Sequence, residues 1–192
     1  MSEAGPEPGA AGVPQRRPRL VFFVVGVLLA TGLGIGLFSS LGSPKTGVPT
    51  VGSVAPAFTL SALGGQGTVG VPADGGGNGR PAVLVFFASW CPPCRTEIPT
   101  LARAYRDQPS RTRIPVIGVD GMDPTAAALR FVHRSGVRFL VAADPLYRVT
   151  EGIYAFNGDP DAVFIRADGT IARIVHGPIT AAQLAAFERN LA

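Results

Sequence analysis

Both cysteines of this 192-residue chain fall in one short run, Trp90-Cys91-Pro92-Pro93-Cys94, which also holds the only tryptophan. Two cysteines scattered over such a length would land three apart only about 1 time in 100, so the spacing itself points to chemistry. Two thiols so placed can close a small disulfide ring: one attacks a partner's disulfide and the other resolves the mixed disulfide. Two buried core cysteines would leave the intervening prolines unexplained, because prolines suit an exposed loop-to-helix junction. A zinc site would need a second ligand pair, which His133 and His176 do not supply in compact spacing, so no metal is expected.

The flanking sequence supplies the elements that must hold such a pair. Ala82 to Phe87 is an uninterrupted apolar run bounded by Pro81, the pattern of a buried strand. Residues 95–105 read as a helix, so the cysteines sit where a central strand turns into a helix N-terminus. Unpaired N–H groups and the positive end of the helix dipole stabilise a thiolate there. Cys91 is expected at the exposed end as the attacking thiol, with Cys94 one turn inward as the resolving thiol. Trp90 either shields the site or packs a strand end. Pro99 lies inside the helix and removes one backbone bond.

The run from Phe86 to Pro99, Phe-Phe-Ala-Ser-Trp-Cys-Pro-Pro-Cys-Arg-Thr-Glu-Ile-Pro, resembles the active site of TlpA-type thioredoxin-like oxidoreductases. That family includes the membrane-anchored ResA-like and CcmG-like reductases of cytochrome c maturation, and the likeness extends from about Gly52 to the C-terminus. It implies a thioredoxin-like fold and protein substrates with cysteine pairs, apocytochrome c among them. It further implies a membrane electron donor of the CcdA/DsbD type, with no cofactor beyond the Cys91–Cys94 disulfide. By the same likeness Glu97 stands beside the dithiol and holds or relays a proton; read without it, Glu97 is a solvated first-turn acid favouring the helix dipole. The resemblance also places a cis-proline at Pro160 facing the dithiol, whereas an X–Pro bond on its own favours trans. Asp159 and Asp161 depart from the family pattern at that loop, and two acids there would disfavour a thiolate or select basic partners.

Further along, residues 54–60 suggest an edge strand and 64–79 a glycine-rich surface loop without a phosphate-loop lysine. Residues 114–119 read as a second buried strand. Asp123-Pro124 reads as an N-cap with its following proline, opening a helix that Gly136 stops. Residues 139–142 read as a strand, and Asp144-Pro145 repeats the cap signal for a brief helix through about Gly152. This block resembles the inserted strand-helix element of TlpA-type proteins. Residues 162–166 and 170–176 form a hairpin around Asp168-Gly169. Thr180 and Gln183 make a capping box for the last helix. The order predicts an α/β domain with a mixed central sheet flanked by helices.

The amino-terminal end is of another kind. Residues 1–19 read as a disordered cytoplasmic tail ending in Arg16, Arg17 and Arg19. Residues 20–42 are uncharged and apolar, long enough for a helix of about 34 Å, sufficient for a bilayer core. The arginines predict a cytoplasmic N-terminus, so that after a linker at 43–51 the domain at 52–192 lies outside the cell membrane. The alternative of a cleaved signal peptide is disfavoured by the length of the run and the lack of an Ala-x-Ala site. The formal charge is +4, and from Ser43 onward 14 basic and 11 acidic residues are spread without a nucleic-acid-binding patch.

The sequence thus predicts a single-pass, extracytoplasmic thiol–disulfide oxidoreductase, a reductase in preference to an oxidase. The alternatives are a general disulfide oxidase or isomerase, and a copper(I) chaperone that uses the Cys pair with His176.

Overall fold

In the computed structural model, which describes residues 47–72 and 79–191, the strand that leads into the dithiol is also the middle of the main sheet. Seven strands and three helices are described. They are β1 (Phe58–Ser61), β2 (Thr68–Val71), β3 (Ala82–Phe87), α1 (Cys94–Asp107), β4 (Val116–Gly121), α2 (Thr125–Arg134), β5 (Leu140–Asp144), β6 (Asp161–Ile165), β7 (Ile171–His176) and α3 (Ala181–Glu188). The main sheet has the order β5-β4-β3-β6-β7. β3 pairs in parallel with β4, and β4 with β5, whereas β6 runs antiparallel to both β3 and β7. The mixed sheet expected from the element order is present.

All six residues of β3 are buried because both faces of the sheet are covered. Val83, Val85 and Phe87 pack with Cys94, Ile98 and Leu101 of α1, Phe131 of α2 and Leu184 of α3. Leu84 and Phe86 point the other way, toward Phe58, Val71, Tyr154 and Phe156. The three helices therefore share one face, and the other is closed by the β1–β2 hairpin and a coiled segment. The steps β3 to β4 and β4 to β5 move across the sheet in the same direction, so right-handed crossovers put α1 and α2 on the same face. Burying each phenylalanine of β3 contributes about 1.5–3 kcal/mol, which makes this strand a firm frame for the dithiol loop at its end.

Three expectations need correction. The stretch around residues 64–79 contains β2, paired with β1 from Phe58↔Val71 to Ser61↔Thr68. Its glycine content hid the strand, and Gly70 is there because a Cβ would collide with the Phe58 carbonyl oxygen. No regular helix follows Asp144-Pro145: the segment is a series of turns, and Tyr147 at φ 51° breaks the helical run. Asp123 does not cap α2, whose N-terminus at Pro124 has no side-chain cap bond. The capping box of Thr180 and Gln183 is formed as read from the sequence, and Asp168 accepts from Thr170 N at the β6–β7 turn. No described helix is long and apolar enough to cross a membrane; the tail and apolar run expected at 1–19 and 20–42 lie outside the described residues.

Candidate active site

Strand direction explains why so many polar groups meet at one edge of the sheet. β3, β4 and β5 are parallel, so Phe87, Gly121 and Asp144 all end there. β6 is antiparallel and begins at the same edge, with Asp161 paired to Phe86 on one side and His176 on the other. The carboxyl ends of parallel strands are where α/β folds commonly place their chemistry.

Cys91 and Cys94 form a disulfide with Cα atoms 5.3 Å apart. The backbone N–H of Cys94 donates to Cys91 Sγ at 3.2 Å, so the helix N-terminus faces this sulfur. Cys91 Sγ also lies 3.4 Å from the Asp159 carbonyl oxygen, and the Asp159–Pro160 bond is cis, as the family resemblance implied. Cys91 was expected to be the exposed thiol, yet in the disulfide form it is 1% and Cys94 0% exposed. The Asp159–Pro160 loop lies over Cys91, so burial does not separate the two sulfurs. Pro92 and Pro93 are exposed. Trp90 is also exposed, which sets aside its reading as a residue packing a strand end.

Glu97 is 4% exposed, which overturns the solvated-acid reading. Ile179 donates its N–H to Oε1 at 2.8 Å, and Oε2 has no partner among the described residues. Burial, with a contribution from the charge of Asp161, pushes its carboxyl up to about 7, against the lowering effect of the Ile179 bond. Asp161 is itself raised by burial but restrained by His176, whose Nδ1 stands 2.9 Å from Asp161 Oδ1. Asp159 accepts from the Tyr147 hydroxyl at 2.6 Å. Its burial outweighs that bond and raises the carboxyl to about 6. Both flanking acids of Pro160 therefore have side-chain partners, Asp159 in Tyr147 and Asp161 in the exposed His176, and Asp161 itself is buried.

Sequence reasoning missed three participants. Asp120, at the end of β4, is 2% exposed, and burial together with the neighbouring Asp123 raises its carboxyl to about 8. Asp123 accepts from Ser89 N at 2.6 Å and from Ser89 Oγ at 2.8 Å, gripping the loop that precedes the dithiol. Tyr147 reaches Asp159 from the segment after β5. The available signal was topological: an aspartate ending an apolar strand parallel to the dithiol strand must arrive at the same edge. Among the described residues no three His, Cys, Asp or Glu side chains gather as metal ligands, and His176, which the copper reading needs at the dithiol, is turned to Asp161.

A thioredoxin-like α/β fold with a Cys-x-x-Cys disulfide between its central strand and helix defines the class. The chain belongs to the AhpC/TSA family, whose model matches residues 51–174. It is 26% identical over 177 residues to the thiol-disulfide oxidoreductase ResA of Bacillus thuringiensis, covering 92% of this chain and 98% of that one. A thiol:disulfide interchange protein DsbE homolog of Paracoccus denitrificans is 41% identical over 95 residues, about half of either chain. Among solved structures, a secreted Mycobacterium tuberculosis disulfide oxidoreductase homologous to E. coli DsbE superposes with TM-score 0.58 at 27% identity, over 70% of this chain and 96% of that one. The M. tuberculosis dsbF structure gives TM-score 0.60 at 26% identity, over 70% and 95%. The protein is a thiol–disulfide oxidoreductase of the ResA/DsbE type.

Proposed function

We propose that the chain reduces disulfides in protein substrates outside the cytoplasmic membrane, to which residues 20–42 anchor it, and that the cysteine pairs of apocytochrome c are its substrates. The buried Glu97, one helical turn from Cys94, supports the reductase chemistry in this reading, while the substrate and the anchor rest on the family resemblance and the apolar run. A carboxyl that keeps its proton to about 7 can hand one to a departing thiolate. The Cys91 thiolate attacks one sulfur of the substrate disulfide, whose S–S bond breaks and releases a substrate thiolate. The Cys94 thiolate then attacks Cys91 Sγ, freeing the second substrate thiol and closing the Cys91–Cys94 disulfide. Two electrons pass to the substrate, and a membrane electron donor of the CcdA/DsbD type returns them. Trp90, Pro92, Pro93, Glu97, Asp159 and Pro160 shape and tune this site around the two catalytic cysteines.

The test is to express Cys94→Ser in the native host and identify the protein joined to Cys91. Capture of apocytochrome c in the membrane fraction, with loss of c-type cytochromes in a deletion strain, is the expected result. Many unrelated secreted partners, with cytochromes still assembled, would leave a general disulfide oxidoreductase. A shortened soluble protein would refute the anchor. Measuring the dithiol potential fixes direction: near or below about −270 mV marks a reductant, and near about −120 mV an oxidant.

A further inference from the structure

Several arginines are used by the fold itself. Arg106 donates to the Gly136 carbonyl, Arg113 to the Arg106 and Gln108 carbonyls, and Arg173 lies over the Phe187 ring. Arg95, Arg130 and Arg134 instead line one cavity of about 450 Å³ between α1 and α2, together with Ser89, Phe131 and Ser135. Among the described residues the one ion pair is that of His176 with Asp161, so no carboxylate pairs with these three arginines. Arg95 donates its Nε to the Ser89 carbonyl at 2.9 Å, which leaves its two terminal nitrogens over. Ser135 is 7% exposed, and its hydroxyl forms no hydrogen bond among the described residues.

Helix stability does not explain this arrangement. A cation suits the last turn of α2, where Arg134 stands. The same dipole disfavours Arg95 in the first turn of α1. Arg130 and Arg134, four residues apart on one helix, repel each other. Two helices thus bring like charges to one cavity whose lining includes no acid.

We propose that this cavity binds a phosphoryl group, carried by a soluble phosphate ester or by a phospholipid headgroup. Its volume falls in the range of small-ligand sites, about 300–1,000 Å³. A carboxylate has two oxygens in one plane and is satisfied by a single guanidinium fork, which would leave two of these arginines unused. A phosphoryl group presents three acceptor oxygens in different directions, so guanidiniums from both helices can each take one. The charge agrees. Asp123, which holds Ser89 through its N–H and its hydroxyl, sets one negative charge beside the cavity. Against three guanidiniums that leaves a surplus of two positive charges, the complement of a phosphate dianion. Arg95 directly follows Cys94 and holds the carbonyl of Ser89, so the bound group stands beside the loop that carries the dithiol. The lipid source rests on the anchor proposed at residues 20–42; the soluble source does not.

The experiment is arginine footprinting with phenylglyoxal on the full chain in neutral detergent micelles, mapped by mass spectrometry. Inorganic phosphate at about ten times its half-protecting concentration should slow modification of Arg130 and Arg134 about tenfold, because only the unliganded fraction reacts. Arg103 and Arg138, exposed but outside the cavity, should change by less than about twofold. Acetate at equal ionic strength should protect none of them. Arg130→Lys keeps the charge but loses the fork, and should weaken phosphate protection of Arg134 by at least about fivefold. Retained disulfide exchange shows that this variant is folded. Micelles containing phosphatidic acid, without phosphate, identify the source. Protection there assigns the headgroup, and protection by inorganic phosphate alone assigns a soluble ester. No protection by either, equal protection by acetate, uniform protection of all these arginines, or undiminished protection in Arg130→Lys would overturn the site.

Discussion

Ile179, from the segment after β7, donates its backbone N–H to Glu97 Oε1 at 2.8 Å, tying that segment to the active-site helix. Within the same stretch His176 holds Asp161 and Gly177 N donates to the Pro160 carbonyl. One four-residue segment thus fixes both the buried acid and the cis-proline loop. Glu97 is oriented by a single bond and left half-satisfied, an arrangement that favours its protonated form.

Glu97 should govern the pH profile of thiol reactivity. Its carboxyl is raised to about 7, chiefly by burial. Below that pH it is neutral and leaves the neighbouring thiols undisturbed. Above it, a negative charge one helical turn from Cys94 opposes thiolate formation. Glu97→Gln removes that charge, so alkylation of the reduced protein should begin at lower pH, with the largest gain between about pH 7 and 9. Coincident profiles for variant and wild type would refute the coupling.

Asp120 should make the fold weaker as pH rises. Its folded-state carboxyl is held near 8, well above the unfolded value of about 3.9. Below the unfolded value both states are protonated and the residue contributes nothing to pH dependence. Between the two values the unfolded chain gives up its proton while the folded one keeps it, so the penalty grows with pH up to the folded value. Asp120→Asn should therefore stabilise at pH 8 by at least about 2 kcal/mol relative to pH 4, or roughly 4–8 °C in Tm. Equal changes in Tm at both pH values would contradict this.

The two sulfurs should divide their roles even though the disulfide form buries both. Cys91 precedes the helix and receives the Cys94 N–H, whereas Cys94 lies within α1. Cys91→Ser should abolish exchange, with activity lost by at least about 1,000-fold. Cys94→Ser should still attack and accumulate a mixed disulfide at Cys91, visible by mass spectrometry of the unreduced protein. Mixed disulfides mapped to Cys94 in Cys91→Ser would reverse the assignment.

What could be read in the sequence was local or strongly patterned. The apolar run of β3, the dithiol at its end, the Asp168-Gly169 turn and the capping box of Thr180 each declare themselves within a few residues. The family resemblance added Pro160 and the position of Glu97. Neither β2, hidden by glycines that serve a close backbone approach, nor the partners of Asp161, Asp159 and Ser89 could be read locally. Those pairings depend on strands, loops and turns assembling at one sheet edge from distant parts of the chain. Asp123 shows the limit best: Asp-Pro before a helix is the local signature of a cap, but tertiary structure gives the carboxylate to Ser89.

That reassignment yields the last prediction. Asp123 accepts both the N–H and the hydroxyl of Ser89, and its carboxylate is among the groups that raise Asp120. Asp123→Ala should therefore have two separable effects. Losing both bonds leaves a part-buried N–H without its partner, at a cost of about 1–3 kcal/mol in stability. Ser89→Ala, which deletes only the hydroxyl bond, should cost less, about 0.5–1.5 kcal/mol. At the same time Asp120, freed of a neighbouring negative charge, should titrate at lower pH in Asp123→Ala and not in Ser89→Ala. Carboxyl-detected NMR titration of the oxidised protein, with denaturant melts of the wild type, both single variants and the double variant, reads both quantities. Were Asp123 a helix cap, Asp123→Ala would destabilise through α2 alone: Ser89→Ala would be neutral, and the two substitutions would add in a double-mutant cycle. Non-additivity of the pair, together with the lowered Asp120 titration, is the expected outcome.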